Sequence, residues 1–222
     1  MTRQEIYDEI ERNKLEVKGQ RGLHFIGYAA QKMSICFGPR EGKQHTFVLL
    51  DEWIPKSNIL SEDESLLEVT TRYFDARGPA SVNDLCWWTG LNLKEAARGI
   101  DMAGKALVKF SAGDQVYFMK DHNFKQSSAT SVSLLSWFDE FIIGYKDRSA
   151  AFDPATKKFI QIPKNGLYTP VILVNGRIAG NWKRTFVKNK VKVDVKLFRK
   201  LSPVEKNKLD AEMARFARFT EG

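Results

Sequence analysis

The sequence predicts an α+β chain: two helical modules, each closed by a strand hairpin, then an antiparallel strand-rich region ending in a helix. Three observations carry this reading. The S/T-x-x-E capping pattern marks helix starts at Thr2–Glu5, Ser61–Glu64 and Ser202–Glu205. Each of the first two helical runs gives way to a pair of short apolar segments separated by turn residues. Beyond about residue 126 the apolar spacing changes from helical to a period of two, and Asn175-Gly176 between two apolar runs is a strong hairpin signal. At 222 residues the chain is long enough to bury a core without disulfides or metals.

The elements follow in order. A helix from Thr2 sets Ile6 and Ile10 on one face and ends near Asn13. A second, from Arg21, groups Leu23, Ile26, Ala30 and Met33. Strands at 35–37 and 46–50 flank the turn-rich GPREGK of residues 38–43, giving helix, helix, hairpin. After a loop containing Pro55 and Asn58, a helix over 62–76 turns Leu66, Leu67, Val69, Tyr73 and Phe74 inward and is broken by Gly78-Pro79. Ser81–Asp84 caps a short helix burying Val82, Leu85 and Cys86 and stopped by Gly90. Asn92–Glu95 caps another, with Leu93, Ala96, Ala97 and Ile100 at i, i+3, i+4 and i+7. Residues 106–110 and 116–119 form strands about the turn Ser111–Asp114. Three helices followed by a two-stranded hairpin is the winged-helix arrangement, and the pair joined at Gly90 is a helix-turn-helix. Polar residues 121–131 read as a linker, which sets boundaries at 1–54, 55–125 and 126–222.

The last part reads as strands: SVSLLSWFDEFIIGY, 158–162, 170–174, 177–186 and 187–197. From Lys190 on, Lys190, Lys192, Asp194 and Lys196 face one way and Val191, Val193, Val195 and Leu197 the other. A terminal helix over 203–219 closes the chain through Leu209, Met213, Phe216 and Ala217.

Charge is unevenly placed. The net charge is +8, yet residues 1–125 sum to −1 and residues 126–222 to +9. Within 177–200, nine basic side chains stand against Asp194 alone. Such a stretch points to a polyanion, nucleic acid ahead of an anionic membrane surface; a solvated strand edge is the competing explanation. No apolar run approaches the roughly 18 residues of a membrane helix. The acidic, amphipathic start is unlike a secretory signal, and Cys36 and Cys86 lack metal or redox spacing. A cytoplasmic protein is expected.

Tests for chemistry return little. GPREGK is one residue short of a phosphate loop and Gln44 stands where Ser or Thr is needed, so a hairpin turn is the reading. His24, His45 and His122 are scattered, and no cofactor or metal is implied. Neither G-x-S-x-G nor S-x-x-K occurs. Asp139-Glu140 is an acidic pair in apolar surroundings; on a strand the two would point to opposite faces, and structural pairing, against Tyr145 or Arg148, is favoured over catalysis. Trp87-Trp88 suits core and inter-module contact better than base stacking.

The blocks GPREGKQHTFVLLDEW (38–53), RYFDARGPASVNDLCWWTGL (72–91), FDEFIIGYKDRSAAF (138–152) and PVILVNGRIAGNWKRT (170–185) resemble, in order, those of the bacterial winged-helix DNA-binding-domain family that includes the AlkZ/YcaQ-type glycosylases, which unhook interstrand DNA crosslinks. The resemblance implies tandem winged-helix modules followed by a C-terminal antiparallel β-barrel-like domain, with DNA on a concave basic surface. Members of that family are longer, and the match begins at their second winged helix. Their Gln-hydrophobic-Gln or Gln-hydrophobic-Asp motif belongs to the part before it, and every glutamine here lacks Gln or Asp two residues on. No catalytic residue carries over.

Three functions follow. The first is largely sequence-independent binding of duplex DNA through its phosphates, with Lys183, Arg184, Lys188, Lys190 and Lys192 on the ribbon, Lys94 and Arg98 on the third helix of the second module, and Arg40 and Lys43 at the first wing. The second is base release from alkylated or crosslinked DNA, through a residue such as Asp139 or a partner supplying the absent domain. The third is a protein-binding regulatory module. Enzymatic activity by this chain alone is left open, inclining against.

Overall fold

The computed structural model describes every residue except 55, 57–58, 122–127, 153–168, 188–189 and 222. The expected strand at 158–162 and much of the expected linker lie outside the described residues. The chain divides into two compact units, Met1–Leu60 and Ser61–Gly222.

The first unit holds α1 (Arg3–Arg12), α2 (Arg21–Gln31), β1 (Ile35–Phe37), β2 (Phe47–Leu49) and a short α3 (Leu50–Trp53). Thr2 caps α1 in a full capping box with Glu5, as its sequence requires. β1 and β2 pair antiparallel about the 38–46 turn, and Met1 exchanges hydrogen bonds with Phe47 along the hairpin edge. Ile26 is buried, but the packed stripe of α2 differs from the expected one: Leu23 is 48% and Met33 67% exposed. The helix ends at Gln31 and Met33 turns to φ +56°, off the helical register. The stripe centres instead on Gly22 and Ile26, which leaves Leu23 on its flank.

The second unit begins with α4 (Glu62–Arg77), α5 (Val82–Thr89) and α6 (Leu93–Ala103), each opened by a capping box, followed by the β3 (Leu107–Ala112) and β4 (Gln115–Lys120) hairpin. Tyr73, Phe74, Ala80, Leu85, Ala96, Ala103 and Leu107 form its core. The expected face of α6 is corrected: Leu93 is 58% exposed and Ala97 is exposed, while Ala96, Gly99 and Ala103 are buried. Small residues win because α6 lies close against α4. A Cβ at Gly99 would collide with the Thr70 hydroxyl and press on Leu66. Gly99→Ala is therefore expected to destabilise the unit by about 1–3 kcal/mol, the usual cost of overpacking, in urea titration.

The C-terminal part is a four-stranded antiparallel sheet in the order β5 (Val132–Leu135), β6 (Val171–Val174), β7 (Arg177–Val187), β8 (Lys190–Leu197). It is open rather than barrel-like: among the described residues β5 and β8 are its edges. Layering replaces closure. One sheet face packs Val132, Ile172, Val174 and Trp182 against Leu209, Met213 and Phe216 of α8 (Pro203–Glu221). The other packs Val171, Leu173 and Ile178 against Ile142 of α7 (Glu140–Ile143) and Ala151. With helical segments on both sides, β6 is buried at all four residues. The turn between β6 and β7 is Asn175-Gly176, with φ +51° and +77°, as two-residue hairpins demand.

The run SVSLLSWFDEFIIGY is only partly strand. Phe138 takes φ +59° and Asp139 caps α7 by accepting from the Phe141 N–H at 3.0 Å, so Asp139 and Glu140 sit at a helix start. Glu205, in the first turn of α8, accepts both Arg199 guanidinium nitrogens and the Ser202 N–H. These bonds, Arg199 first, hold its carboxyl down to about 2. A lowered carboxylate stabilises fully above its ordinary value of 4.5, and that contribution is lost as the pH falls from there towards 2. Thermal melts across that window should show a steeper acid loss in the native chain than in Glu205→Gln.

Candidate nucleic-acid interface

The register of the sheet builds the site. β6 pairs with β7 only as far as Asn181, whereas β8 pairs with β7 from Gly180 to Val187. Among the described residues, β7 and β8 from Trp182 onward thus form a two-stranded ribbon past the end of β6. Directly opposed residues of an antiparallel pair share a face. The pairs Asn181–Lys196, Lys183–Asp194, Thr185–Lys192 and Val187–Lys190 therefore place Lys183, Lys190, Lys192 and Lys196 together, around one acid.

That acid is spoken for. Lys192 Nζ lies 2.8 Å from Asp194 Oδ1, and this bond, with Lys183 nearby, holds the Asp194 carboxyl below its ordinary range. The face keeps a net positive charge on exposed side chains, the condition for displacing counterions from a polyanion.

Not every expected contact falls here. Arg184 opposes Val193 on the other face, with its guanidinium over the Phe186 ring at 5.7 Å. Lys188 lies outside the described residues. Lys94 is exposed on α6; Arg98, one turn on, is held by Asp63 and Glu62 at the start of α4 and must leave them to meet a phosphate. Arg40 and Lys43 are exposed in the β1–β2 turn of the first unit. Lys196 was written in the same alternation as Lys190 and Lys192, but Trp137, 52% exposed beside the ribbon's base, has no periodic signal.

The aromatic and acidic pairs make contacts within the fold. Trp88 Nε1 donates to Glu140 Oε2 at 2.8 Å, and Arg77 grips the same oxygen at 2.7 Å while its guanidinium lies over the Trp88 ring. Trp87 Nε1 donates to the Ile143 carbonyl. The Tyr73 hydroxyl donates to the Gly144 carbonyl and that of Tyr145 to the Arg77 carbonyl; burial pushes both phenols up. Asp84, 3% exposed, accepts from the backbone N–H of Lys146 and Asp147 and from both Ser81 groups. Residues 139–148 are thus a seam that joins the helices to the sheet. Glu140 finds Arg77 as its partner, rather than Tyr145 or Arg148, and Asp139 serves as a cap.

Among the described residues no three His, Cys, Asp or Glu side chains gather as a metal site, and no helix is long and apolar enough to cross a membrane. A family model described as DNA glycosylase AlkZ-like matches residues 1–219. An interstrand DNA cross-link repair glycosylase of Streptomyces sahachiroi is 23% identical over 163 residues, covering 67% of this chain and 43% of that protein. The solved structure of Streptomyces sahachiroi DNA glycosylase AlkZ superposes with a TM-score of 0.71 at 20% identity, covering 99% of this chain and 62% of that one. The chain therefore spans under half of the curated relative's length and about three-fifths of the solved structure's.

Proposed function

Since the chain belongs to the AlkZ-like DNA glycosylase family, we propose that it binds duplex DNA in repair, gripping the phosphate backbone with the basic face of the β7–β8 ribbon. The observation that carries this is the set Lys183, Lys190, Lys192 and Lys196 on one face of the paired β7 and β8. In this reading 1–54 and 55–125 are winged-helix modules and 126–222 is the basic domain. Lys188 belongs with the ribbon set by its sequence, while Lys94 and Arg98 on the third helix of the second module, Arg40 and Lys43 at the first wing, and Arg184 add weaker contacts. Phosphate contacts position a protein without reading sequence, so affinity is set by charge and salt. Duplex binding should fall with salt at a log–log slope of about −3 to −4, as about four neutralised phosphates require, and be alike for unrelated sequences. A flat salt response would remove this reading.

The family favours a second function, release of an alkylated base from alkylated or crosslinked DNA. Asp139 caps α7 by accepting the Phe141 N–H, and Asp139→Asn reads whether its carboxylate takes part in that chemistry. Incubation of the purified chain with alkylated and crosslinked duplexes, followed by chromatography of released bases, separates the two. Binding without release supports the binding function alone. Release at a rate unchanged by Asp139→Asn establishes the second and assigns its chemistry elsewhere.

A further inference from the structure

Beside the basic face, at the base of the ribbon, lies a recess of about 840 Å³. That is within the roughly 300–1,000 Å³ of sites that hold organic ligands. Its walls are apolar: the half-exposed indole of Trp137, Pro170 and Val195. Ser136, Thr169 and Arg184 also line it, and three further polar groups are of two kinds. Asn181 supplies an amide that both donates and accepts, and Lys183 and Lys196 supply charge. Asp194 also lines the recess but is paired with Lys192. Asn181, Lys183 and Lys196 belong at once to this recess and to the basic face, because Asn181 opposes Lys196 and Lys183 opposes Asp194 across the ribbon.

A ligand that suits these walls is a flat, neutral ring, and a ligand that suits the rim carries anionic groups on either side of it. A nucleotide in a DNA strand is both. We propose that this recess receives an unpaired nucleobase of the bound DNA, stacked on Trp137, with its polar edge at Asn181 and its flanking phosphates at Lys183 and Lys196. This rests on the duplex-binding reading above: the ribbon grips the backbone, and the recess takes a base that has left the stack. Aromatic stacking is tolerant of base identity, so the site selects unpaired over paired DNA rather than one sequence over another.

The test compares two labelled duplexes, identical except for one unpaired adenine, titrated with the full chain at fixed salt by fluorescence anisotropy. The chain should bind the bulged duplex about tenfold more tightly, in the range expected for one stacked base. Trp137→Ala should bring the two affinities within about twofold while leaving that for the perfect duplex nearly unchanged, and Trp137→Phe, which keeps a stacking face, should retain the preference. Asn181→Ala should weaken it in part. Equal binding of both duplexes by the native chain, or a preference that survives Trp137→Ala, overturns the recess alone. So does loss of both affinities together in a Trp137→Ala protein of native helical content, which makes Trp137 a general duplex contact. No binding to either duplex removes the duplex-binding reading and this one with it.

Discussion

Reversing Lys183, Lys190 and Lys192 to glutamate together is expected to lower duplex affinity at least a hundredfold near 0.1 M salt. Each neutralised phosphate contributes about 0.9 to the log–log salt slope, so losing three contacts should flatten that slope by nearly 3. The loss should be the same on unrelated sequences, because these side chains stand on a ribbon face with no base-reading geometry of their own. The side chains are exposed and the opposite ribbon face carries the apolar contacts, so far-ultraviolet circular dichroism should be unchanged. The same reversal at Lys94 alone should cost less than tenfold. An affinity and slope that survive the triple reversal would place the phosphate contacts elsewhere.

The second large effect is on folding. Asp84→Ala is expected to cost about 3–5 kcal/mol in denaturant titration, the range for a buried charge network stripped of one member. Asp84 is 3% exposed and accepts the N–H groups of Ser81, Lys146 and Asp147 and the Ser81 hydroxyl. Removal leaves these donors without an acceptor in the interior. Asp84→Asn keeps the shape but turns an NH₂ towards donors, so it should rescue only part. Because Asp84 ties α5 to the seam at 144–148, amide exchange should rise first at Lys146 and Asp147. A loss below about 1 kcal/mol would mean that water replaces the carboxylate there at little cost.

Local signals in the sequence were enough for much of this fold. Thr2, Ser61, Ser81, Asn92 and Ser202 each announce a helix through a side chain that bonds three residues ahead, and all five caps form. Asn175-Gly176 and the alternation from Lys190 to Leu197 located the β6–β7 turn and the faces of β8. What failed depends on partners distant in the chain. The stripe of α6 kept Ala96 and Ile100 but exchanged Leu93 and Ala97 for Gly99 and Ala103 because α4 lies close against it. The run around Phe138 left the strand because Asp139 caps a turn of helix that Arg77, Trp87 and Trp88 then hold. Among the described residues the sheet is open, with α8 and α7 packed on its two faces.

The same division holds for the site. The charge density at Lys183, Lys190 and Lys192 and the shared face of Lys190 and Lys192 were legible because both signals are local. That Arg184 points to the opposite face follows from its opposition to Val193, which only the pairing register settles. Arg98 read as a free cation on the third helix of its module, and Asp63, thirty-five residues earlier, takes its charge. Trp137 has no pattern in the chain at all; its place beside the ribbon comes from β5 lying two strands away from β7.

In the proposed binding mode the ribbon, more than α6, holds the DNA. Photo-crosslinking tests it most directly, with a benzophenone side chain placed at position 192 in one protein and at position 94 in another, each irradiated with the same labelled duplex at moderate salt. Strong crosslinking is expected from position 192, abolished by competitor duplex and by raised salt, and little from position 94. Strong crosslinking from position 94 with none from position 192 would contradict it.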